Sequence, residues 1–437
     1  MKLLLVEPAV DNVRAKRKKS VIGPKIFRTP PLGLMVVAAL TPRDLQVEII
    51  DEHTQKLNLN TDADIVGINV NACSSRRAYH ISEQFRKKGR KVILGGFHVT
   101  FNQKEASKQA DSIVIGEAEA VWKDVIKDFK NDNLKKLYDG TKYENLSIPI
   151  PRRDLVRSKG FYFENVIQAT RGCPSKCDFC GINHFFGGKF KKRPVPEVIK
   201  DIKSMKGFRF LFTDDNLTAD PIYAKRLFKA LIPLKKKWMG MTNTTIAKDD
   251  ELLRLARKCG CVGLFLGLES IHQENLKNSQ KYLNAVDEYK SIIRKLHDYG
   301  IAVAGGTMFG FDNDSLDTFK RSLNFYLDSG IDIIQVSPLT PFPGTPLYSK
   351  LKKEKRIITS NFDDYDIYKV VFKPKQMSPE DLEEGLQYLR KNFYTFKNVV
   401  RRTYRALLYG GLLSSYMVFI LNYGYYTCHK NNLGYPP

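Results

Sequence analysis

Acidic side chains are scarce in this chain. Its 437 residues carry 47 Asp and Glu against 71 Lys and Arg, a formal charge of +24. Such an excess raises two kinds of anionic partner, nucleic acid and the face of a membrane. The basic residues come in pairs and short runs (Arg14–Lys19, Lys191–Arg193, Lys235–Lys237, Lys352–Lys355) and lack the interleaved aromatics of a nucleic-acid platform. Nucleic acid is therefore the disfavoured partner, and scattered surface lysine explains most of the charge. Cysteine is sparse too: seven residues, Cys73, Cys173, Cys177, Cys180, Cys259, Cys261 and Cys428. They form no disulfide framework, which excludes a stapled secreted scaffold. The apolar start, Met1–Val6, is too short for a secretory segment, so the expected setting is the reducing cytoplasm.

Three of the seven cysteines stand together in Arg171–Gly181, RGCPSKCDFCG, with CxxxCxxC spacing. Thiolates this close converge on one inorganic centre. A structural zinc ion needs a fourth ligand, for which His184 is the near candidate. A cubane iron–sulfur cluster held by Cys173, Cys177 and Cys180 leaves one iron open for a substrate or cosubstrate. Gly172 and Gly181 permit close backbone approach, and Phe179 is placed to cover a cluster from water.

This stretch resembles the cluster loop of the radical S-adenosylmethionine (SAM) superfamily. The resemblance implies a [4Fe-4S] cluster whose open iron is chelated by the amine and carboxylate of SAM. An electron from the reduced cluster then breaks the sulfonium C–S bond to give a 5′-deoxyadenosyl radical. It also implies an external electron donor such as flavodoxin or ferredoxin.

The length argues for two domains and an appendage. In residues 1–135, strand-like runs at Lys2–Glu7, Val47–Asp51, Ile65–Val70, Lys91–Leu94 and Ser112–Ile115 alternate with helix-length segments, the pattern of a doubly wound Rossmann-like α/β sheet. Ligands of such sheets sit at the carboxyl ends of the strands. Pro30–Leu34, Val47–Glu52, Gly95-Gly96-Phe97-His98-Val99-Thr100 and Gly116-Glu117-Ala118-Glu119 resemble, in order and spacing, the N-terminal domain of the cobalamin-binding radical SAM enzymes. The likeness implies cobalamin contacts at Gly95, Gly96, His98, Gly116 and Glu117. The DxHxxG signature that supplies an axial histidine elsewhere is missing. Asp51-Glu52-His53 lacks its glycine, so no cobalt ligand is transferred to His53. A domain that binds nothing is the bland alternative, and His98 as a loop cap is another.

Residues 136–160 read as a polar linker. In residues 161–370, six strand-like runs (Asn165–Thr170, Arg209–Thr213, Trp238–Thr245, Val262–Leu268, Ala302–Phe309 and Ile333–Leu339) alternate with helices, and the resemblance implies a partial (β/α)6 radical SAM barrel. The cysteine loop follows the first strand, at the end where parallel barrels carry their chemistry. Asp214 and Asp215 follow the second. The family's Gly-Gly-Glu is absent there, and an aspartate offers the same charge-assisted acceptor to the SAM amine, with helix N-capping as the alternative. Glu269 and Ser270 after the fourth strand, and Gly305-Gly306 in the fifth, are the remaining SAM contacts that the resemblance implies. Cys259 and Cys261 read as buried small hydrophobes rather than ligands.

In residues 371–437, a small helical region, Ser378-Pro379-Glu380-Asp381 starts a helix with Leu382, Leu386, Leu389 and Phe393 on one face. Residues 406–429 carry no formal charge but are diluted by Gly410-Gly411, Ser414-Ser415 and Asn422. A helix packed on the barrel, an interfacial segment giving peripheral membrane association, and a transmembrane span are all compatible with this stretch.

The expectation is a radical SAM enzyme that is a cobalamin-dependent methyltransferase, acting on an unactivated carbon of a lipid-like or other small molecule. A radical cyclase or C–C coupling enzyme is the near alternative. A tRNA-modifying radical SAM enzyme is disfavoured because only Cys73 precedes the triad, and a non-catalytic zinc or iron–sulfur protein stands as the third class.

Overall fold

The computed structural model of the chain describes residues 1–10, 28–144, 146–156 and 161–430. The basic run Arg14–Lys19 lies outside the described residues.

Short runs such as Leu3–Val6 are apolar at successive positions, so both faces of the strand must be covered, and only helices on either side of a parallel sheet do this. β1 (Lys2–Glu7), β2 (Gln46–Asp51), β3 (Ile65–Asn69), β4 (Lys91–Gly95), β5 (Ser112–Gly116) and β6 (Leu137–Gly140) form one parallel sheet in the order β2-β1-β3-β4-β5-β6. Leu4, Val6, Ile68, Val92 and Leu94 pack with Ile81 and Phe85 on one face. Leu3, Leu5, Ile65 and Ile93 pack with Trp122 and Ile126 on the other. Strand order reverses around β1 and β3, and their carboxyl ends therefore diverge into a crevice. β6 is a correction to the sequence reading, which made the linker begin at residue 136. Its four residues, with only Tyr138 and Gly140 buried, are too few to show a period of two.

The second sheet is also parallel: β7 (Val166–Ile167), β10 (Arg209–Phe212), β11 (Lys237–Thr242), β12 (Cys261–Glu269), β13 (Ala302–Phe309) and β14 (Ile333–Pro338) lie side by side in chain order. These are the six strands that the sequence marks, in an open (β/α)6 arrangement. A short antiparallel hairpin, β8 (Thr170–Arg171) with β9 (Lys191–Lys192), leaves the sheet after β7 and brackets the cysteine loop. Along β12, Leu264, Leu266 and Leu268 enter the large core shared with the helices. Phe265 points the other way, into a cluster with Met239, Ala304, Ile333 and Leu421. Cys259 and Cys261 are buried in the first of these cores, as small hydrophobes.

The helix Pro379–Phe393 starts with a capping box of Ser378 and Asp381 and buries Leu382, Leu386, Leu389 and Phe393. Phe396–Lys430 follows as a helical segment bent at Gly411, where φ is 77° and ψ is −171°. Arg402 Nε donates to Asn422 Oδ1 at 2.9 Å, and Ser415 Oγ donates to the Thr403 carbonyl at 2.9 Å. In a straight helix Arg402 and Asn422 would stand roughly 30 Å apart, so the segment is a hairpin. Ala406 and Val418 pack on Ala302. Tyr409 OH donates to Asp332 Oδ2 at 2.9 Å, at the start of β14. The hairpin therefore closes the end of the barrel opposite the cysteine loop. Phe396–Cys428 is long and apolar enough to cross a membrane by length and composition, but the bend divides it, so it does not form one continuous span.

Candidate active site

The cysteine loop is held in place by its backbone. Gly172 has φ +82°, and any side chain there would collide with the Lys189 carbonyl. The Gly172 N–H donates to Asp215 Oδ2 at 2.9 Å. Asp178 donates its N–H to the Ser279 carbonyl at 3.2 Å and accepts the Leu347 N–H at 3.1 Å, and Asn183 Nδ2 reaches the Cys173 carbonyl at 3.3 Å. Three thiols are thus presented from one loop at the strand ends. Asn216 Nδ2 lies 3.8 Å from Cys173 Sγ. Burial pushes the Cys177 thiol up to about 12 and the Cys180 thiol up to about 11, so the thiolate set needs a cationic centre to form.

Among the described residues, no three His, Cys, Asp or Glu side chains stand close enough together to hold a single metal ion. Three cysteine donors on one loop, backed by the Asn216 amide, suit a polynuclear iron–sulfur cluster. Phe179 packs its ring against the barrel core.

Asp214 is fully buried. Its Oδ1 accepts the Ala169 N–H at 3.0 Å, the Thr170 N–H and the Thr170 hydroxyl at 2.7 Å. Burial raises its carboxyl to about 7. With these donors in place it latches the strand leading into the loop, as Asp215 latches Gly172. Ser270 Oγ likewise accepts from His272 N–H at 3.1 Å and Asn275 Nδ2 at 3.2 Å, which shapes the turn after β12. A Cβ on Gly305 would meet Ile331 and Leu268, and one on Gly306 would meet Phe265. Both glycines therefore make room for protein side chains.

Glu269 is different. It is a non-glycine residue at φ +66°, and its Oε1 lies 3.1 Å from Lys281 Nζ. Both side chains are close to buried, at 12% and 13% exposure. Burial pulls the Lys281 ammonium down, but Glu269 and the Cys177 thiol outweigh it and hold it above its ordinary value. Lys281 escaped the sequence reading because a single polar residue in a loop carries no spacing signal.

Between the strand ends of the first sheet and the cysteine loop lies a cavity of about 680 Å³, the size of a cofactor site. Glu7 and Pro8 at the end of β1 and Asn69, Asn71, Cys73 and Ser74 at the end of β3 form one wall, with Pro30–Leu34 beside them. Phe97, His98, Phe101 and Asn102 line it from the loop after β4, and Gly181, Ile182, Phe342 and Pro343 belong to the barrel side. Gly96 (φ +107°) makes this turn possible, since a Cβ there would sit 2.5 Å from Asn69 Oδ1. Asn69 Nδ2 donates to Glu7 Oε2 at 2.8 Å, and burial raises the Glu7 carboxyl to about 8. His98 Nε2 lies 3.1 Å from Tyr79 OH, and burial lowers its pKa. His53 also lines the cavity, with Nδ1 2.9 Å from Asp51 Oδ1.

Of the five residues expected around this ligand, only His98 lines the cavity. Gly95 and Gly96 shape its turn. Glu117 accepts from Arg171 NH1 at 2.9 Å and from Lys191 Nζ, while Glu119 accepts from Arg171 NH2 at 2.5 Å. Glu117 thus belongs to a buried charge network that ties the end of β5 to the β8–β9 hairpin, while Gly116 donates its N–H to Thr100 Oγ1 at 3.0 Å. Proximity in sequence to a glycine turn does not distinguish a ligand contact from a domain clamp.

Residues 167–326 match the radical SAM superfamily, and residues 345–414 match a domain of unknown function, DUF4070. Among curated proteins, the bacteriochlorophyllide d C-12(1)-methyltransferase of Chlorobaculum tepidum is 29% identical over 92% of this chain and 89% of that protein. The fold is shared with the radical SAM methyltransferase TsrM of Kitasatospora setae, solved with cobalamin and a [4Fe-4S] cluster, at a TM-score of 0.69, 14% identity and 99% coverage of each chain. It is shared also with the cobalamin-dependent SAM radical enzyme OxsB, at a TM-score of 0.68, 16% identity and coverage of 96% of this chain and 72% of that one. The cysteine triad, on a loop at the strand ends of a six-stranded parallel sheet, thus lies within the stretch of this chain, residues 167–326, that matches the radical SAM superfamily.

Proposed function

We propose that this chain is a cobalamin-dependent radical SAM methyltransferase that places a methyl group on an unactivated carbon of an apolar small molecule. One observation carries the reading: the cavity that begins at the strand ends of the first sheet ends at Gly181 and Ile182, next to Cys180. A ligand of the first domain would therefore face a cluster held by Cys173, Cys177 and Cys180. When bound, the cluster supplies the electron that splits the sulfonium bond of SAM, and cobalamin supplies the methyl group.

The chain's own residues bind, orient and exclude water. Asn69, Asn71 and Asn102 offer carboxamides suited to the amide-bearing rim of a corrin. Phe97, Phe101, Phe342 and Pro343 give the cavity apolar surface that keeps water from a radical. Beside the triad, Glu269 would accept from the amine of SAM and Lys281 would donate to its carboxylate. Asp214 and Asp215 fix the loop. An external donor of the flavodoxin or ferredoxin kind reduces the cluster, and the protein works in the cytoplasm, with peripheral contact to a membrane through its C-terminal region.

Anaerobic reconstitution with iron, sulfide and hydroxocobalamin tests the reading. The expected result is corrinoid retained through desalting, 5′-deoxyadenosine released from SAM, and deuterium from methyl-labelled SAM recovered in the corrinoid. Deoxyadenosine without retained corrinoid would move the chain to the cyclase or coupling class. Cleavage that survives replacement of the three cysteines by alanine would refute the triad.

A further inference from the structure

Among the described residues, the C-terminal hairpin has one face that is left open. Val399, Arg402 and Ala406 turn inward and are buried. Phe396, Val400, Tyr404 and Leu408 recur every four residues, which sets them in a row on the outer side of the first arm, and all four are exposed. Exposed apolar side chains continue on the other side of the bend at Gly411. Leu408 and Leu412 are 69% and 82% exposed, and Tyr416 is exposed beyond them. Apolar side chains stacked this way on a water-facing helix call for a covering surface.

Charge identifies that surface. From Gly385 to Pro437 the sequence contains no aspartate or glutamate. Lys397 and Arg401, one residue after Phe396 and Val400, form an exposed basic row beside the apolar one, and Lys391 is exposed ahead of it. A helix with an apolar stripe edged by cations and devoid of acids has the composition of a segment lying in the plane of an anionic interface. We propose that this hairpin docks the protein on the surface of an anionic lipid bilayer, with Leu408, Leu412 and Tyr404 inserted among the acyl chains and Lys397 and Arg401 at the headgroups. The hairpin closes the barrel end opposite the cysteine loop, so docking leaves the cavity and the triad open to water-borne SAM and reductant. This inference deepens the proposed membrane contact and does not depend on the methyltransferase reading.

Co-sedimentation of the full-length chain with vesicles is the test. One set contains phosphatidylcholine alone, the other also contains about one part in three of phosphatidylglycerol. The chain is expected to partition at least about tenfold more strongly onto the anionic vesicles, and to be released by high salt. L408S/L412S is expected to weaken partitioning by at least about tenfold, and K397E/R401E to abolish the preference for anionic lipid. Because all four positions are exposed, both variants should melt as the wild type does. No binding, equal binding to both vesicle types, or variants that bind as well as the wild type would overturn the proposal. Sedimentation velocity without lipid supplies the competing outcome: a dimer that L408S/L412S disperses would assign this face to a second copy of the chain.

Discussion

Replacing Glu117 by alanine discriminates most sharply between what the sequence motif and the tertiary structure say about the same residue. Its carboxylate accepts from Arg171 NH1 at 2.9 Å and from Lys191 Nζ, and the three side chains are 5%, 8% and 6% exposed. Removing one member of a buried ion pair costs about 3–5 kcal/mol, because the partner stays buried and uncompensated. Two features reduce that figure here. Arg171 keeps Glu119, whose carboxyl it holds below the ordinary value against the burial that would raise it, and also keeps the Gln168 amide at 3.1 Å. Lys191, pushed down to about 8 by burial, can shed its proton at pH 7 for about 1.4 kcal/mol. The expected destabilisation of E117A is therefore about 2–4 kcal/mol, with E117Q losing about half as much. Chemical denaturation of the metal-free chain followed by far-ultraviolet circular dichroism measures it. If E117A unfolds within about 0.5 kcal/mol of the wild type yet fails to retain corrinoid, then Glu117 is a cofactor contact as its motif implies, and the clamp argument is wrong.

Further outcomes are expected at the cavity and the cluster loop. The Glu7 carboxyl, at about 8 in the folded chain against an ordinary value near 4.3 when unfolded, binds its proton more tightly in the folded state. It therefore contributes stability that is complete below about pH 4 and lost as pH rises to about 8, at up to about 1.4 kcal/mol per unit. E7Q should flatten that decline in urea-midpoint measurements while keeping the Asn69 hydrogen bond, and an unchanged slope would contradict the assignment. G96A forces a Cβ into a backbone at φ +107° and within 2.5 Å of Asn69 Oδ1. It should cost about 1–3 kcal/mol and weaken corrinoid retention. K281M should weaken SAM binding about tenfold in equilibrium dialysis while leaving iron content unchanged, and loss of iron instead would make Lys281 a support of the cluster loop.

The sequence alone determined the parts of this protein that are local. Three cysteines within eight residues need no fold to show that they share a centre, and strands buried on both faces announce themselves as continuous apolar runs. The six barrel strands and the capped helix at Pro379 are legible for the same reason. Contacts that join residues far apart in the chain left no such trace. Asp214 and Asp215 stand where a ligand contact is expected, and only the return of the chain past Ala169, Thr170 and Gly172 shows that they hold the loop. Glu117 and Arg171 are 54 residues apart, Glu269 and Lys281 meet across the helix Gln273–Asn278, and the cavity is assembled from both domains, so spacing encodes none of them. The C-terminal segment makes the same point, since its hydropathy allows a membrane span, a packed helix or an interfacial one. The tertiary structure divided it through a bend at Gly411 and a buried Arg402–Asn422 contact, because a buried guanidinium needs acceptors and Arg402 finds them in Asn422 on the returning arm and in the Phe393 carbonyl at the end of the helix before it.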